Sequence, residues 1–163
     1  MILLGVPVLA GAFLLVEAGL EHLRAPKFLA RAAGTGVAMA RAIAVVELLI
    51  GVPSVAAVVF GIAELRWALA GQTAIYLAFA LHLWWRHHRG DQSDCGCNRM
   101  GTQVGPGGIS RAVLLAIATL AATALYPAAA LPGGGIAVLL VGCALVLAVL
   151  LYTLPAAVDG RAA

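Results

Sequence analysis

Charged side chains are scarce in this sequence. Only 10% of its 163 residues are Asp, Glu, Lys or Arg, whereas 63% are hydrophobic, and soluble domains carry about 25% charged residues. So few charged side chains cannot cover the surface of a water-soluble globular protein. A chain with this many hydrophobic residues is also not intrinsically disordered. The net charge of +3 forms no basic stripe for nucleic acid. We therefore expect an integral membrane protein whose surroundings are the lipid bilayer.

Signatures of soluble enzymes, such as a nucleotide-binding glycine loop or a Ser/His/Asp set, are also missing from the sequence. Five long apolar segments are present instead, and about 20 apolar residues suffice to cross the ~30 Å hydrocarbon core. We predict an all-α integral membrane protein, a bundle of five transmembrane helices in one domain over residues 1–163. The first segment has no basic region before it, so we expect it to be retained as a helix and not cleaved. The predicted helices cover residues 1–23, 37–63, 67–85, 112–131 and 136–154.

Basic residues are concentrated at one end of the predicted bundle. With five crossings, the first loop, the third loop and the C-terminus share one side of the membrane. That side and the adjoining helix ends hold every Lys and Arg except Arg66. The excess of positive charge predicts a cytoplasmic position for this side in a cell membrane.

Two of the 3 cysteines lie one residue apart in the longest polar connector, residues 86–110, which we interpret as a redox loop. The spacing of Cys95 and Cys97 permits a strained disulfide, which is labile and of little structural value. The pattern favours a redox pair, and two reduced cysteines without a function are the alternative. The third cysteine, Cys143, falls in the last helix, and we expect it to act only as a small apolar residue.

A metal site is a second interpretation of the same loop. His87, His88, Cys95 and Cys97 supply nitrogen and sulfur ligands suited to Zn²⁺ or Cu⁺, although their spacing matches no common zinc motif. The two histidines also fit an aromatic and basic belt at the membrane interface, together with the neighbouring tryptophans.

Five polar residues in the predicted helices or directly before one form a further candidate group. Charged groups inside a bilayer are costly and often functional, so we hypothesise a polar pocket beneath the loop. Pairing between helices and snorkelling to the interface are the alternatives. The proposed pocket residues are Glu17, Arg41, Glu47, His82 and Arg111.

The segment Asp94-Cys95-Gly96-Cys97, followed by a glycine-rich turn and by Ser110-Arg111 at the start of a Leu/Ala-rich helix, resembles the MauE family of methylamine utilisation proteins. That family belongs to the wider MauE/DoxX-like group of redox-associated membrane proteins. Pro26, Phe28, Glu47 and Gly51 also match. The resemblance spans nearly the whole chain and implies a four-helix DoxX-like core plus one further helix.

The resemblance implies a membrane factor that works with a thioredoxin-like protein. Its clients would include the small subunit of methylamine dehydrogenase, which it would help to process, export or oxidise to the disulfide form. Cys95 and Cys97 would be the redox pair, with Glu47 and Arg111 in support. The family also implies thiol chemistry on the outer side of the membrane, opposite to the side that the charges predict.

Three functions therefore remain open from the sequence. The first is a thiol–disulfide factor that acts through a mixed disulfide, for which a quinone is a conceivable acceptor although no motif requires one. The second is a metal-handling membrane protein that uses the Cys/His loop. The third is a non-catalytic scaffold that holds a partner at the membrane.

Overall fold

The computed structural model describes residues 4–90, 103–125 and 135–159. Six α-helices lie within these ranges, and a short 3-10 turn, Ala63–Leu65, precedes the fourth. Four of the helices (α1, α3, α5 and α6) are long and apolar enough to cross a membrane. The architecture is that of a helical membrane protein. The helices are α1 Gly5–Arg24, α2 Pro26–Ala32, α3 Val37–Phe60, α4 Arg66–His88, α5 Pro106–Ala124 and α6 Gly135–Val158.

Helix α1 is the central helix of the bundle, and its most extensive contact is with α3. The buried residues of α1 include a stripe at spacings of three and four residues: Val8, Ala12, Leu15, Gly19 and His22. A matching stripe on α3 contains Ala40, Ala44, Gly51, Ser54 and Val58. The α3 stripe consists largely of small residues and the α1 stripe includes Ala12 and Gly19, and such residues let two helix backbones approach closely in a membrane.

Two glycines show how tight this approach is. A β-carbon on Gly51 of α3 would lie 2.9 Å from a methyl group of Val16 and 3.2 Å from the carbonyl oxygen of Ala12. A β-carbon on Gly19 of α1 would lie 3.0 Å from the carbonyl oxygen of Ala44. The two helices can therefore keep this spacing only while both positions lack a side chain.

Helix α4 is joined to its neighbours by buried hydrogen bonds. The Gln72 amide donates to the carbonyl of Val8 (3.0 Å) and the Tyr76 hydroxyl to that of Gly11 (2.7 Å), so both bonds reach α1. The Thr73 hydroxyl donates to that of Thr119 on α5 (2.9 Å). Such interhelical bonds contribute about 0.6 kcal/mol on average in membrane proteins, and here they fix the rotation of a helix that carries several polar groups.

The helix ends next to the candidate redox loop differ from those predicted. Helix α4 continues to His88, beyond the predicted end at residue 85, and α5 begins at Pro106, before the predicted start at residue 112. The proline is at the first helical position, where its missing N–H removes no hydrogen bond. The connector between the two helices is therefore shorter than residues 86–110.

Two further features of the helices were not predicted. Residues 26–32 form α2, which begins at a proline and buries Leu29 and Ala30 against Ala40 of α3. Helix α6 continues past its predicted end at residue 154 because Pro155 is accommodated inside it, where it is buried. Polar connectors and prolines are usual helix stops, but packing against neighbouring helices outweighs both signals here.

We expect replacement of Gly51 by alanine to destabilise the protein. The new β-carbon meets backbone atoms and a stiff valine, so α1 and α3 must separate or strain, at a cost of about 1–3 kcal/mol. Unfolding of the purified protein in mixed micelles would measure the loss.

Gly142→Ala is the matched control, because a β-carbon on Gly142 of α6 would meet nothing within 4 Å. This change should leave the free energy of unfolding unchanged or raise it, since alanine is the better helix former. Equal effects of the two substitutions would contradict the close α1–α3 approach.

Candidate functional site

One end of the bundle collects most of the polar side chains. We call it the loop end: α1, α4 and α6 finish there, α3 and α5 begin there, and the connector with the Cys-Gly-Cys sequence joins α4 to α5 there. Residues 91–102 lie outside the described residues, and with them the predicted redox pair Cys95 and Cys97. The basic residues described at the loop end are Arg24, Lys27, Arg31, Arg41, Arg86, Arg89 and Arg111.

A cavity of about 650 Å³ lies inside the bundle towards the loop end. Its volume falls within the range of small-molecule sites, roughly 300–1,000 Å³. Helices α1, α3 and α4 form most of the wall, α2 supplies part of it, and α5 and α6 supply one residue each. The lining is mainly apolar, with seven polar or ionisable side chains other than threonine: Glu17, His22, Glu47, Tyr76, His82, Arg111 and Tyr152.

A contact between His22 and Glu47 crosses the α1–α3 interface at the cavity wall. The Nδ1 atom of His22 lies 2.8 Å from an Oε atom of Glu47, and the two side chains are 8% and 13% exposed. A carboxylate so far from water requires such a partner, since an unpaired buried charge is strongly destabilising. The contact therefore gives the Glu47 carboxyl group a hydrogen-bonding partner. It also places a pair of side chains that can exchange a proton at the cavity wall.

The sequence analysis missed three of the polar lining residues, His22, Tyr76 and Tyr152, and His22 is the one that pairs with a predicted residue. It follows Glu21 near the end of α1 and looks like an interfacial residue when only its neighbours along the chain are considered. The helical stripe gives the missing signal, because His22 comes three residues after buried Gly19 and seven after buried Leu15. Glu47 lies between Ala44 and Gly51 on the facing stripe of α3.

Four of the five predicted pocket residues line the cavity, namely Glu17, Glu47, His82 and Arg111. Arg111 is 7% exposed, and one guanidinium nitrogen donates to the carbonyl of Leu151 on α6 at 3.2 Å. Arg41 differs from the expectation: its side chain is exposed and is not among the lining residues. It precedes Glu47 by six positions, which turns it about 120° away around α3.

The start of α5 is held by the end of α6. The Asp159 carboxylate accepts hydrogen bonds from the backbone N–H groups of Gly107 (2.8 Å) and Gly108 (3.0 Å). A carboxylate here caps orphan N–H groups and interacts favourably with the helix dipole. A β-carbon on Gly105 would lie 2.5 Å from the Asp159 carboxyl carbon. The glycine-rich turn thus makes room for the cap, and the cap fixes the point where the connector enters α5.

Comparison with known families identifies the chain. The family model described as methylamine utilisation protein MauE matches residues 1–127. The chain belongs to the MauE family. The match includes α1–α5 and the connector with both loop cysteines, whereas α6 lies beyond it. No curated protein and no solved structure matches the chain.

Membership of the MauE family makes this a membrane protein related to methylamine utilisation, and its apolar helices make it a multi-pass one. Four long helices fall within the matched residues: α1, α3, α4 and α5. The cavity is built almost entirely by that part of the chain, to which α6 adds only Tyr152. The cavity is thus mainly a feature of the MauE region.

In this MauE protein, His87 and His88 are the exposed last residues of α4. The His88 ring packs on Trp84 with 4.3 Å between ring centroids, and its Nδ1 atom lies 3.0 Å from the Trp84 carbonyl oxygen. The Arg89 guanidinium lies over the ring of Trp85 at 3.7 Å. These contacts are typical of a belt at a membrane interface.

No group of three or more His, Cys, Asp and Glu suited to a metal occurs within residues 4–90, 103–125 and 135–159. The predicted set of His87, His88, Cys95 and Cys97 is not covered by that finding, because its cysteines lie outside those ranges. Cys143 is exposed on α6, about 15 residues and therefore roughly 22 Å from the loop end.

We expect the His22–Glu47 contact to appear as energetic coupling in a double-mutant cycle. Each single change, His22→Ala or Glu47→Ala, should cost about 1–3 kcal/mol because it leaves a buried polar partner unsatisfied. The double variant should lose less than the sum of the two, by on the order of 1 kcal/mol. Unfolding of the four proteins in mixed micelles measures the coupling.

Arg41→Ala provides the control on the same helix. Because Arg41 is exposed and does not line the cavity, its loss should change the free energy of unfolding by less than about 0.5 kcal/mol. Strict additivity of the His22 and Glu47 changes would show that the contact contributes nothing to stability.

Proposed function

We propose that this MauE family member is a membrane thiol–disulfide factor that works with a thioredoxin-like protein on a client of the kind represented by the methylamine dehydrogenase small subunit. The Cys95-Gly96-Cys97 sequence within the family match carries the proposal. The polar cavity supports it, because the cavity lies at the end of the bundle to which α4 and α5 bring the connector.

The chemistry is thiol–disulfide exchange. The thiolate of one protein attacks a sulfur of the other protein's disulfide, and a mixed disulfide forms as the second sulfur leaves as a thiolate. The neighbouring cysteine thiolate then attacks the mixed disulfide, which completes the new intramolecular bond and releases the partner as a dithiol. Two electrons pass between the proteins, and no atom other than protons is gained or lost. Cys95 and Cys97 are the exchanging pair in this proposal.

Replacing one cysteine should trap the exchange half-way. We expect Cys97→Ser or Cys95→Ser to accumulate a mixed disulfide with a thioredoxin-like partner whose own second cysteine is also replaced, because neither protein then has a second thiol to resolve it. The double variant should form none, and client maturation in cells should be lost. Non-reducing electrophoresis and the disulfide content of the client measure the two effects.

Cys143→Ser is the matched control, since Cys143 lies on the exposed face of α6 away from the loop end. It should behave like the unmodified protein in both assays. Normal client maturation by the double Ser variant would contradict the exchange proposal and favour a scaffold.

We also propose that α4 crosses the membrane, which gives five crossings. Helix α4 is not among the four apolar spans, but its 23 residues extend about 35 Å. Through Gln72 it bonds to Val8 in the first turn of α1, at the end of the bundle opposite the loop end, and its Arg86 donates to the Ala32 carbonyl at the loop end. A helix that reaches both ends of the bundle in this way crosses the membrane in our proposal.

Five crossings put the loop end on one side, and the excess of Lys and Arg predicts the cytoplasm. A membrane-impermeant maleimide should then label Cys95 and Cys97 only after the cells are lysed. The permeant analogue, used on intact cells after reduction, controls for thiol reactivity. Labelling of intact cells by the impermeant reagent would contradict this orientation and place the thiols outside, as the family resemblance implies.

A further inference from the structure

The cavity opens on the side of the bundle between α3 and α4. These helices are in contact at Gly71, where a β-carbon would lie 2.6 Å from the Ile50 side chain, and the cavity occupies the space between them nearer the loop end. Six of its lining residues are exposed: Glu17, Thr35, Met39, Ala42, Val46 and Ala78. Val46 and Ala78 lie nine to ten residues from the loop-end termini of their helices, or roughly 14 Å along the helix axis. We expect this part of the opening to face lipid hydrocarbon.

The polar part of the lining has a different chemistry. It contains the His22–Glu47 pair, His82 and the exposed carboxyl of Glu17, all of which can accept or give up a proton, together with the buried guanidinium of Arg111. Four such groups around one apolar space are costly in a bilayer and indicate a function there. A ligand that enters from the lipid would thus place an apolar part near α3 and α4 and a polar headgroup against these residues.

The charges of the cavity discriminate between possible headgroups. Two carboxyl side chains, Glu17 and Glu47, line it against the single guanidinium of Arg111. A phospholipid would bring a permanently anionic phosphate towards both carboxylates, which is unfavourable in a medium of low dielectric constant. An uncharged headgroup with carbonyl oxygens avoids that repulsion and can accept hydrogen bonds from the guanidinium and the imidazoles.

We infer that the cavity is a binding site for a membrane-soluble quinone, which enters between α3 and α4 and directs its carbonyl oxygens towards the His22–Glu47 pair and Arg111. The further role of this quinone as electron acceptor rests on the proposed thiol–disulfide function. In that step the Cys95 and Cys97 thiols form a disulfide and give up two electrons and two protons. The quinone takes up two electrons and two protons and becomes the hydroquinone.

The proton-exchanging residues have a defined part in this step. Reduction adds one proton to each quinone oxygen, and the hydrocarbon around the cavity supplies none. The imidazole–carboxylate pair, with 2.8 Å between its atoms, is positioned at the cavity wall to pass a proton to one oxygen. His82 and Glu17 also line the cavity and provide a second set of exchangeable protons. Thiol oxidation releases two protons, so the overall reaction is balanced.

Binding is tested with decylubiquinone and the purified full-length protein in which both Cys95 and Cys97 are replaced by serine. Thiol chemistry cannot occur in this protein, so titration calorimetry in mixed micelles reports the site alone. Ala78→Trp introduces an indole into the opening and should weaken binding at least tenfold. Ala74→Trp is the matched control, because Ala74 is exposed one turn away on the same helix and does not line the cavity.

A second pair of variants, on α3, tests the same opening in case the Ala78→Trp variant does not fold. Ala42 on α3 lines the cavity, whereas Ala38, one turn earlier, is exposed and does not. Ala42→Trp should therefore reproduce the loss, and Ala38→Trp should bind normally. No saturable binding to the parent protein, or equal binding to lining and control variants that remain monodisperse, would overturn the inference.

Measuring quinone reduction as well as quinone binding tests the binding site and the proposed thiol–disulfide function separately. The protein with both loop cysteines should reduce decylubiquinone, followed by its absorbance, when a reduced thioredoxin-like partner is supplied, and the double Ser variant should not. Binding as expected without any reduction would overturn the electron-transfer role and leave the binding site established. Client maturation without any quinone binding would overturn the site and leave thiol exchange standing.

Discussion

The close approach of α1 and α3 is the constraint on which the rest of the structure depends. Small residues on both helices permit it, and Gly51 leaves no room for a side chain against the backbone of α1. Towards the loop end the same interface brings His22 within 2.8 Å of Glu47. A buried carboxylate and a buried imidazole are tolerated only as partners, so the spacing of the two backbones and the polarity of the cavity are determined together.

The cavity exists because α4 is held away from α3 at the loop end. Gln72 and Tyr76 bind the middle of α4 to carbonyl groups of α1, and Arg86 reaches the end of α2. Helix α2 itself covers part of the space and packs on the start of α3. The apolar wall and the polar part of the lining therefore come from helices whose positions are fixed by contacts outside the cavity.

The loop end is stabilised by side chains that cap and cover helix termini. Asp159 binds the first turn of α5 through two backbone N–H groups, so α6 supports a connector that it does not adjoin in sequence. At the other end of that connector, α4 extends to His88 and carries a tilted ring contact between Trp84 and His88. The helix ends on both sides of the cysteine-containing connector are thus held by side-chain contacts of their own.

Composition and hydropathy alone determined that the chain is helical and embedded in a membrane, because lipid leaves few other ways to satisfy the backbone. The Asp-Cys-Gly-Cys motif gave the resemblance to the MauE family, and the predicted helix limits placed Glu17, His82 and Arg111 towards one end with Glu47 deeper in the bundle. Only the tertiary structure decided which of these share a cavity, that Arg41 lies outside it, and that His22 is the partner of Glu47. Residues 25 positions apart are paired by the rotation and crossing of two helices. The rotation and the crossing angle of two helices depend on packing along the whole length of both helices, which local sequence does not specify.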